Sequence, residues 1–196
     1  NLKLIECPIR HLGTEEGYKI YTRLQKHLES AGIRMQFNTM VKDLIIQDGA
    51  VKGVVTDKDE TYFAPEVVAA IGREGSDWFS HICTDHGIET RVGTVDIGVR
   101  VELPAVIFSH LTDELYESKI VYRTEKFEDN VRTFCMNPNG IVVNENTNGI
   151  ITVNGHSYEG DERKTENTNF ALLVSKHFSE PFKDSNGYGE SIARLS

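Results

Sequence analysis

The run Glu66-Val67-Val68-Ala69-Ala70-Ile71-Gly72 constrains this 196-residue chain more than any other stretch. An unbroken apolar run of this length, bounded by polar residues and a glycine, reads as a strand from Val67 to Ile71 that stops at a Gly72 turn. What precedes it supports a sheet. Ile33 to Asn38 alternates, and Val41 to Gln47 leads into Asp48-Gly49, a two-residue turn signal between β-rich runs. Val51 to Thr56 follows, then the polar turn Asp57-Lys58-Asp59-Glu60 and a short return strand Thr61-Tyr62-Phe63.

A helix is expected ahead of this meander, from Glu15 to Ser30. Tyr18, Tyr21, Leu24 and Leu28 recur on one face at helical spacing. Thr14 reads as the N-cap, Glu15 and Glu16 suit the helix dipole, and Ala31-Gly32 stops the helix. A second helix is expected from Glu74 to His86, with Trp78, Phe79 and Ile82 inward and Gly87 at its end.

The composition shifts near Arg91. Val95 to Leu103 alternates as a strand, Pro104 ends it, and Ala105 to Glu114 suits a short helix. From Ser118 the pattern is β: Lys119 to Tyr122, Val131 to Met136, Gly140 to Val143, Ile150 to Val153 and Phe170 to Val174. Turns are expected at Asn137-Pro138-Asn139-Gly140 and Asn148-Gly149, and Glu159 to Asn169 reads as loop. The division is therefore residues 1–93, α/β with a meander, and residues 94–196, mostly antiparallel β with a flexible tail.

The formal net charge is −9, with Lys and Arg scattered. A nucleic-acid or anionic-membrane surface needs a basic patch, so neither partner is expected. No apolar stretch approaches the ~20 residues of a membrane span. The three cysteines, Cys7, Cys83 and Cys135, are too few and too far apart for a disulfide framework or zinc ribbon, and no Asn-x-Ser/Thr sequon occurs. These features point to the cytoplasm.

Several local patterns invite chemistry. Gly187-Tyr188-Gly189 resembles the opening of G-x-G-x-x-G, but Ile192 holds the third glycine position, so a mobile loop is the better reading. His81, Cys83, Asp85 and His86 cluster, yet His81 and His86 diverge on a helix, so no metal is expected. Cys135, in an apolar strand, reads as buried and inert. His11 and Thr14 precede a helix N-terminus, which offers N–H donors to an anion or simply a cap. Gly98 marks a bulge or a close backbone approach, and Arg100 on the same strand face either points a guanidinium into a pocket or lies exposed.

Six strings in order carry a resemblance: RHLGTE (10–15), FNTMVKDLIIQDGAVKGVV (37–55), VVAAIGREGSDWF (67–79), DIGVRVELP (96–104), TFCMNPNGIVV (133–143) and VNGHSYEG (153–160). Together they resemble the uncharacterised FAD-dependent dehydrogenases, relatives of the two-dinucleotide-binding-domain flavoproteins. The resemblance implies an internal stretch of a flavoenzyme, without the GxGxxG unit that opens the FAD domain and without its closing segment. It implies that Val41 lies near the adenine and that Ala70, Ile71 and Gly72 line the pyrophosphate side. Residues from about Thr94 to Val174 would form an inserted substrate domain over the isoalloxazine. The sequence departs from the family where Asn137 stands in place of a second cysteine after Cys135-Met136, and where Asn139-Gly140 replaces a glycine pair.

The expectation is thus an FAD-dependent oxidoreductase, a dehydrogenase acting on a small molecule. FAD belongs to the full-length protein rather than to this stretch alone. His11, Thr14 and Arg100 are the substrate-side candidates, and surface bared by truncation offers a route to a dimer. The competing reading is a non-catalytic ligand- or partner-binding β module of flavoprotein ancestry.

Overall fold

The computed structural model describes residues 12–179, 181, 182 and 184–195; His11 lies outside them. The fold is mixed α/β with antiparallel sheets. It divides into two compact units, residues 28–91 and residues 1–27 with 92–196, so the boundary falls within the first helix rather than only near Arg91.

Helix α1 spans Thr14–Ser30. Its cap is one residue earlier than expected: the Gly13 carbonyl accepts from Glu16 N–H at 3.0 Å and Gly17 N–H at 3.3 Å. A glycine is needed there because a Cβ would sit 2.6 Å from both Glu15 Oε2 and the Glu159 amide. The helix ends as expected. Gly32 has φ +82°, Ile33 N–H reaches back to the Leu28 carbonyl, and Gly32 N–H reaches Glu29, which closes a Schellman motif.

In the first unit, β1 (Val41–Gln47), β2 (Ala50–Thr56) and β3 (Thr61–Phe63) form an antiparallel meander in that order. Asp48 and Gly49 both have positive φ, as a type I′ hairpin turn requires, and Gln47 faces Ala50. Buried Thr56 organises the second turn: its hydroxyl accepts from the Lys58 and Glu60 amides. Helix α2 (Ser76–Asp85) buries Ile82 and Cys83, and Trp78 Nε1 donates to the Lys42 carbonyl at 2.8 Å. Gly87, with φ +65°, ends it by a second Schellman motif.

Two expected strands do not form. Ile33 to Asn38 and Val67 to Ile71 carry no ladder pairing among the described residues. Apolar and extended character is not enough, because a strand is defined by a neighbour that takes its N–H and C=O groups. Val68 is 90 % exposed, so the run reads as an open extended segment ending at the Gly72 turn.

The second unit carries a four-stranded antiparallel sheet in the order β4 (Val95–Pro104), β9 (Asn167–Lys176), β6 (Asn130–Asn137), β5 (Val121–Arg123). β7 (Ile141–Thr147) and β8 (Ile150–His156) form a separate hairpin, turned at Asn148-Gly149 with both φ positive. Between β4 and β5, a 3-10 turn at Ala105–Ile107 and the short α3 (Ser109–Thr112) replace the single helix expected. The core here joins Met136 and Phe170, the latter stacked with Phe108 at 5.2 Å, to an unusual share of buried polar side chains: Thr133, Asn137, Ser157, Thr168 and Asn169.

The Gly187-Tyr188-Gly189 segment is not a loop. It lies in α4 (Ser185–Ala193), capped by the Asp184 carboxylate, which accepts from Gly187 N–H at 2.7 Å. The cap supplies the acceptor that a glycine-rich start needs, and Tyr188 packs on Phe178 with ring centroids 5.1 Å apart.

Candidate functional site

The second unit assembles a polar cluster around Arg100. β4 runs in unbroken register against β9, from Val95 opposite Lys176 to Pro104 opposite Asn167. Gly98 is therefore no bulge. It is a close approach, since a Cβ there would lie 1.9 Å from the Leu172 carbonyl oxygen.

Arg100 sits on this strand, half-buried. Its Nε and Nη2 donate to Asn169 Oδ1 at 3.0 and 2.5 Å, and Nη2 also donates to the Cys135 carbonyl at 2.8 Å. The guanidinium thus fixes which amide atom faces it: Asn169 must present oxygen, since Arg only donates. That leaves Asn169 Nδ2 buried and without a hydrogen-bond partner in a residue with no exposed surface. Asn137 Nδ2 donates to the Cys135 carbonyl at 2.8 Å.

Cys135 departs from its expected role as a buried strand cysteine. β6 carries one extra residue between the pairs Phe134–Ala171 and Asn137–Asn169, and Cys135 takes the bulge with φ +49°. It is only half-buried. Its N–H donates to Glu117 Oε1 at 3.0 Å, and its Sγ lies 3.8 Å from Asn154 Oδ1 and 3.7 Å from Asn137 Nδ2. A bulge re-aims a side chain out of the strand's alternation, and here it turns both carbonyl and thiol toward the polar cluster.

Gly155 in β8 closes the cluster. A Cβ at this position would lie 1.8 Å from Arg100 Nη2, 2.2 Å from Asn169 Oδ1 and 2.4 Å from Asn137 Nδ2. Beyond it, Ser157 accepts a short hydrogen bond from the Tyr116 hydroxyl. Burial pushes the Tyr116 phenol above its usual range; the Ser157 contact opposes this, and Cys135 and Glu117 add to the rise.

Thr14 docks beside this group, its N–H donating to the Ser157 carbonyl at 3.0 Å. The start of α1 is filled by the chain's own carboxylate: Glu15 Oε1 accepts from Glu159 N–H at 2.9 Å and Gly160 N–H at 3.2 Å. The Glu15 backbone N–H, and then those of Gly160 and Glu159, hold its carboxyl below the usual glutamate range against the effect of burial. The structure therefore brings Thr14 and Arg100 to the same strand, β8, at Ser157 just past its end and at Gly155 within it.

Sequence reasoning singled out Arg100 and missed Asn169, Asn137, Gly155, Tyr116 and Ser157. A glycine inside the apolar-polar alternation of Val153 to His156 was the available signal for Gly155. Of the histidine–cysteine cluster, Cys83 is buried in α2 while His81, Asp85 and His86 are exposed. Among the described residues no group of three or more His, Cys, Asp or Glu could hold a metal ion. No helix of the described residues is long and apolar enough to cross a membrane.

The residues expected at FAD lie in the first unit. Val41 opens β1 opposite Thr56. Ala70 is exposed and Ile71 half-buried, and Gly72 turns with φ +61° and nothing within 4 Å of where a Cβ would project. Among the described residues, the amides of Val67 to Gly72 donate no backbone hydrogen bond. The Ile71 carbonyl accepts from Gly75 N–H at 3.3 Å, so it is the row of free amides that stays open up to the left-handed Gly72.

The chain belongs to the pyridine nucleotide-disulphide oxidoreductase family, which residues 2–106 match, and residues 95–192 match the family described as FAD-dependent protein, C-terminal domain-like. It is also 26% identical over 186 residues to an uncharacterized protein of Clostridium beijerinckii (strain ATCC 51743 / NCIMB 8052). That alignment takes in 90% of this chain and 34% of the relative, so the chain spans about a third of the relative's length.

Proposed function

We propose that this chain is the part of a cytoplasmic FAD-dependent dehydrogenase that supplies one wall of the FAD site and the substrate side. The observation that carries this reading is the pair of family matches, one over each half of the chain, joined to the open backbone of Val67 to Gly72. In this reading Val41, Ala70, Ile71 and Gly72 lie against FAD. Residues from about 94 to 174 form a substrate domain inserted in the FAD-binding fold. Arg100 and Thr14 face a small-molecule substrate; His11 is carried in the same role from the sequence alone. When bound, the flavin supplies hydride transfer. The chain's own residues bind and orient: Arg100 with Asn169 holds the substrate, and Tyr116, held by Ser157, keeps a proton at its phenolic oxygen.

Flavin retention by the full-length gene product tests this. Gly72 and Gly87 both have positive φ, with open space around them, so valine strains the two backbones alike. Gly72→Val is expected to purify with clearly less flavin per protein than Gly87→Val. Equal flavin content in the two variants would contradict the placement of Gly72 at the cofactor.

A further inference from the structure

Arg100 is a charged group without a countercharge. A guanidinium has five N–H donors. Three are accounted for, by Asn169 Oδ1 twice and by the Cys135 carbonyl, and all three acceptor contacts are to neutral oxygens. Among the described residues no carboxylate pairs with Arg100, and both protons of Nη1 have no acceptor. As a consequence of that orientation the amide nitrogen of Asn169, in a residue with no exposed surface, also has no acceptor. Asn169 meets the Nε and Nη2 side of the guanidinium, and Nη1 is the nitrogen left free. Nη1 is not a buried atom, so the one free nitrogen of this half-buried cation can be approached from solvent by a ligand of opposite charge.

We propose that Arg100, held in place by Asn169 and the Cys135 carbonyl, seats a carboxylate of the substrate at Nη1. This rests on the reading of the second unit as the substrate side and adds the chemical class of what binds there. The unused nitrogen of the guanidinium, Nη1, offers a charge-assisted contact to one oxygen of a carboxylate. A phosphoryl dianion would need more donors than Nη1 supplies. Gly155 lets the β8 backbone pack directly on Nη2, Asn169 Oδ1 and Asn137 Nδ2, which fixes the guanidinium in place. Cys135, with its sulfur 3.7 Å from Asn137 Nδ2, stands beside the seat and reports its occupancy.

The test uses the full-length gene product and two probes of the same shape, propionate and the neutral propionamide, at matched ionic strength. Calorimetric titration is expected to show saturable binding of propionate and none of propionamide. Arg100→Gln should weaken propionate at least about tenfold, the scale of one charge-assisted hydrogen-bonded contact. Propionate should also slow alkylation of Cys135 by iodoacetamide in the unmutated protein, a readout that stands if Arg100→Gln does not fold. Indifference of the protein to propionate, equal binding of both probes, or undiminished binding by a folded Arg100→Gln overturns the proposal. Inorganic phosphate binding in place of propionate overturns it as well. Flavin content of the same sample separates the two readings: a yellow protein indifferent to propionate loses only the carboxylate seat, whereas a colourless one that binds propionate loses only the flavoenzyme.

Discussion

Two residues show how far individual side chains dictate this fold. Gly155→Ala would push a methyl group to within 1.8 Å of Arg100 Nη2, in a place where Asn137 and Asn169 cannot yield without losing their own hydrogen bonds. We expect a loss of about 3 kcal/mol in urea unfolding, at the upper end of the overpacking range. Cys135 holds φ +49° inside the β6 bulge, a conformation that costs a β-branched residue most. Cys135→Val should therefore lose about 1–2 kcal/mol while Cys135→Gly keeps the stability of the parent, again by urea unfolding. Arg100 was legible in the sequence because an arginine amid alternating Val and Ile is conspicuous. Asn169, Asn137 and Gly155 were not, because they meet Arg100 only through pairings of β4 with β9, β9 with β6, and the β7–β8 hairpin against them. No local spacing encodes such meetings.

Among the elements, the hairpins were the most legible. Asp48-Gly49 and Asn148-Gly149 each present two residues that tolerate positive φ, and each forms the two-residue turn that follows from it. Both long helices end at glycines for the same local reason. The expected strands at Ile33 to Asn38 and Val67 to Ile71 depend instead on a partner strand, which the residues themselves do not specify. The central sheet is tied across its strands by Asp96 of β4, whose carboxylate meets Arg132 of β6 at 2.7 Å and Ser175 of the intervening β9. Arg132, and then Ser175, hold the Asp96 carboxyl below the usual aspartate range. A depressed folded-state value means this contact contributes above the unfolded value, near pH 4, and is lost as pH falls through the lower folded value. Asp96→Asn should thus cost at most about 1 kcal/mol at pH 7, since Asp96 is 40% exposed and solvent screens the pair. Chemical denaturation over a pH series should show the difference between variant and parent vanishing in acid.

At the scale of the molecule, the chain joins an open meander unit to a β-rich unit that carries Arg100, Cys135 and Tyr116 around a tightly closed glycine. The sequence pointed to flavoprotein kinship through six ordered strings rather than through any single motif, and the two family matches cover the same ground. It could not show the polar cluster, which exists only once the strands of the second unit pair. The central claim is that these residues serve a bound flavin. The visible absorption spectrum of the full-length gene product, purified without added cofactor, tests it most directly. The account predicts flavin bands near about 370 and 450 nm, characteristic of the cofactor's ring system, that bleach on reduction. A colourless protein that also fails to take up added FAD would contradict it and leave a ligand-binding module in its place.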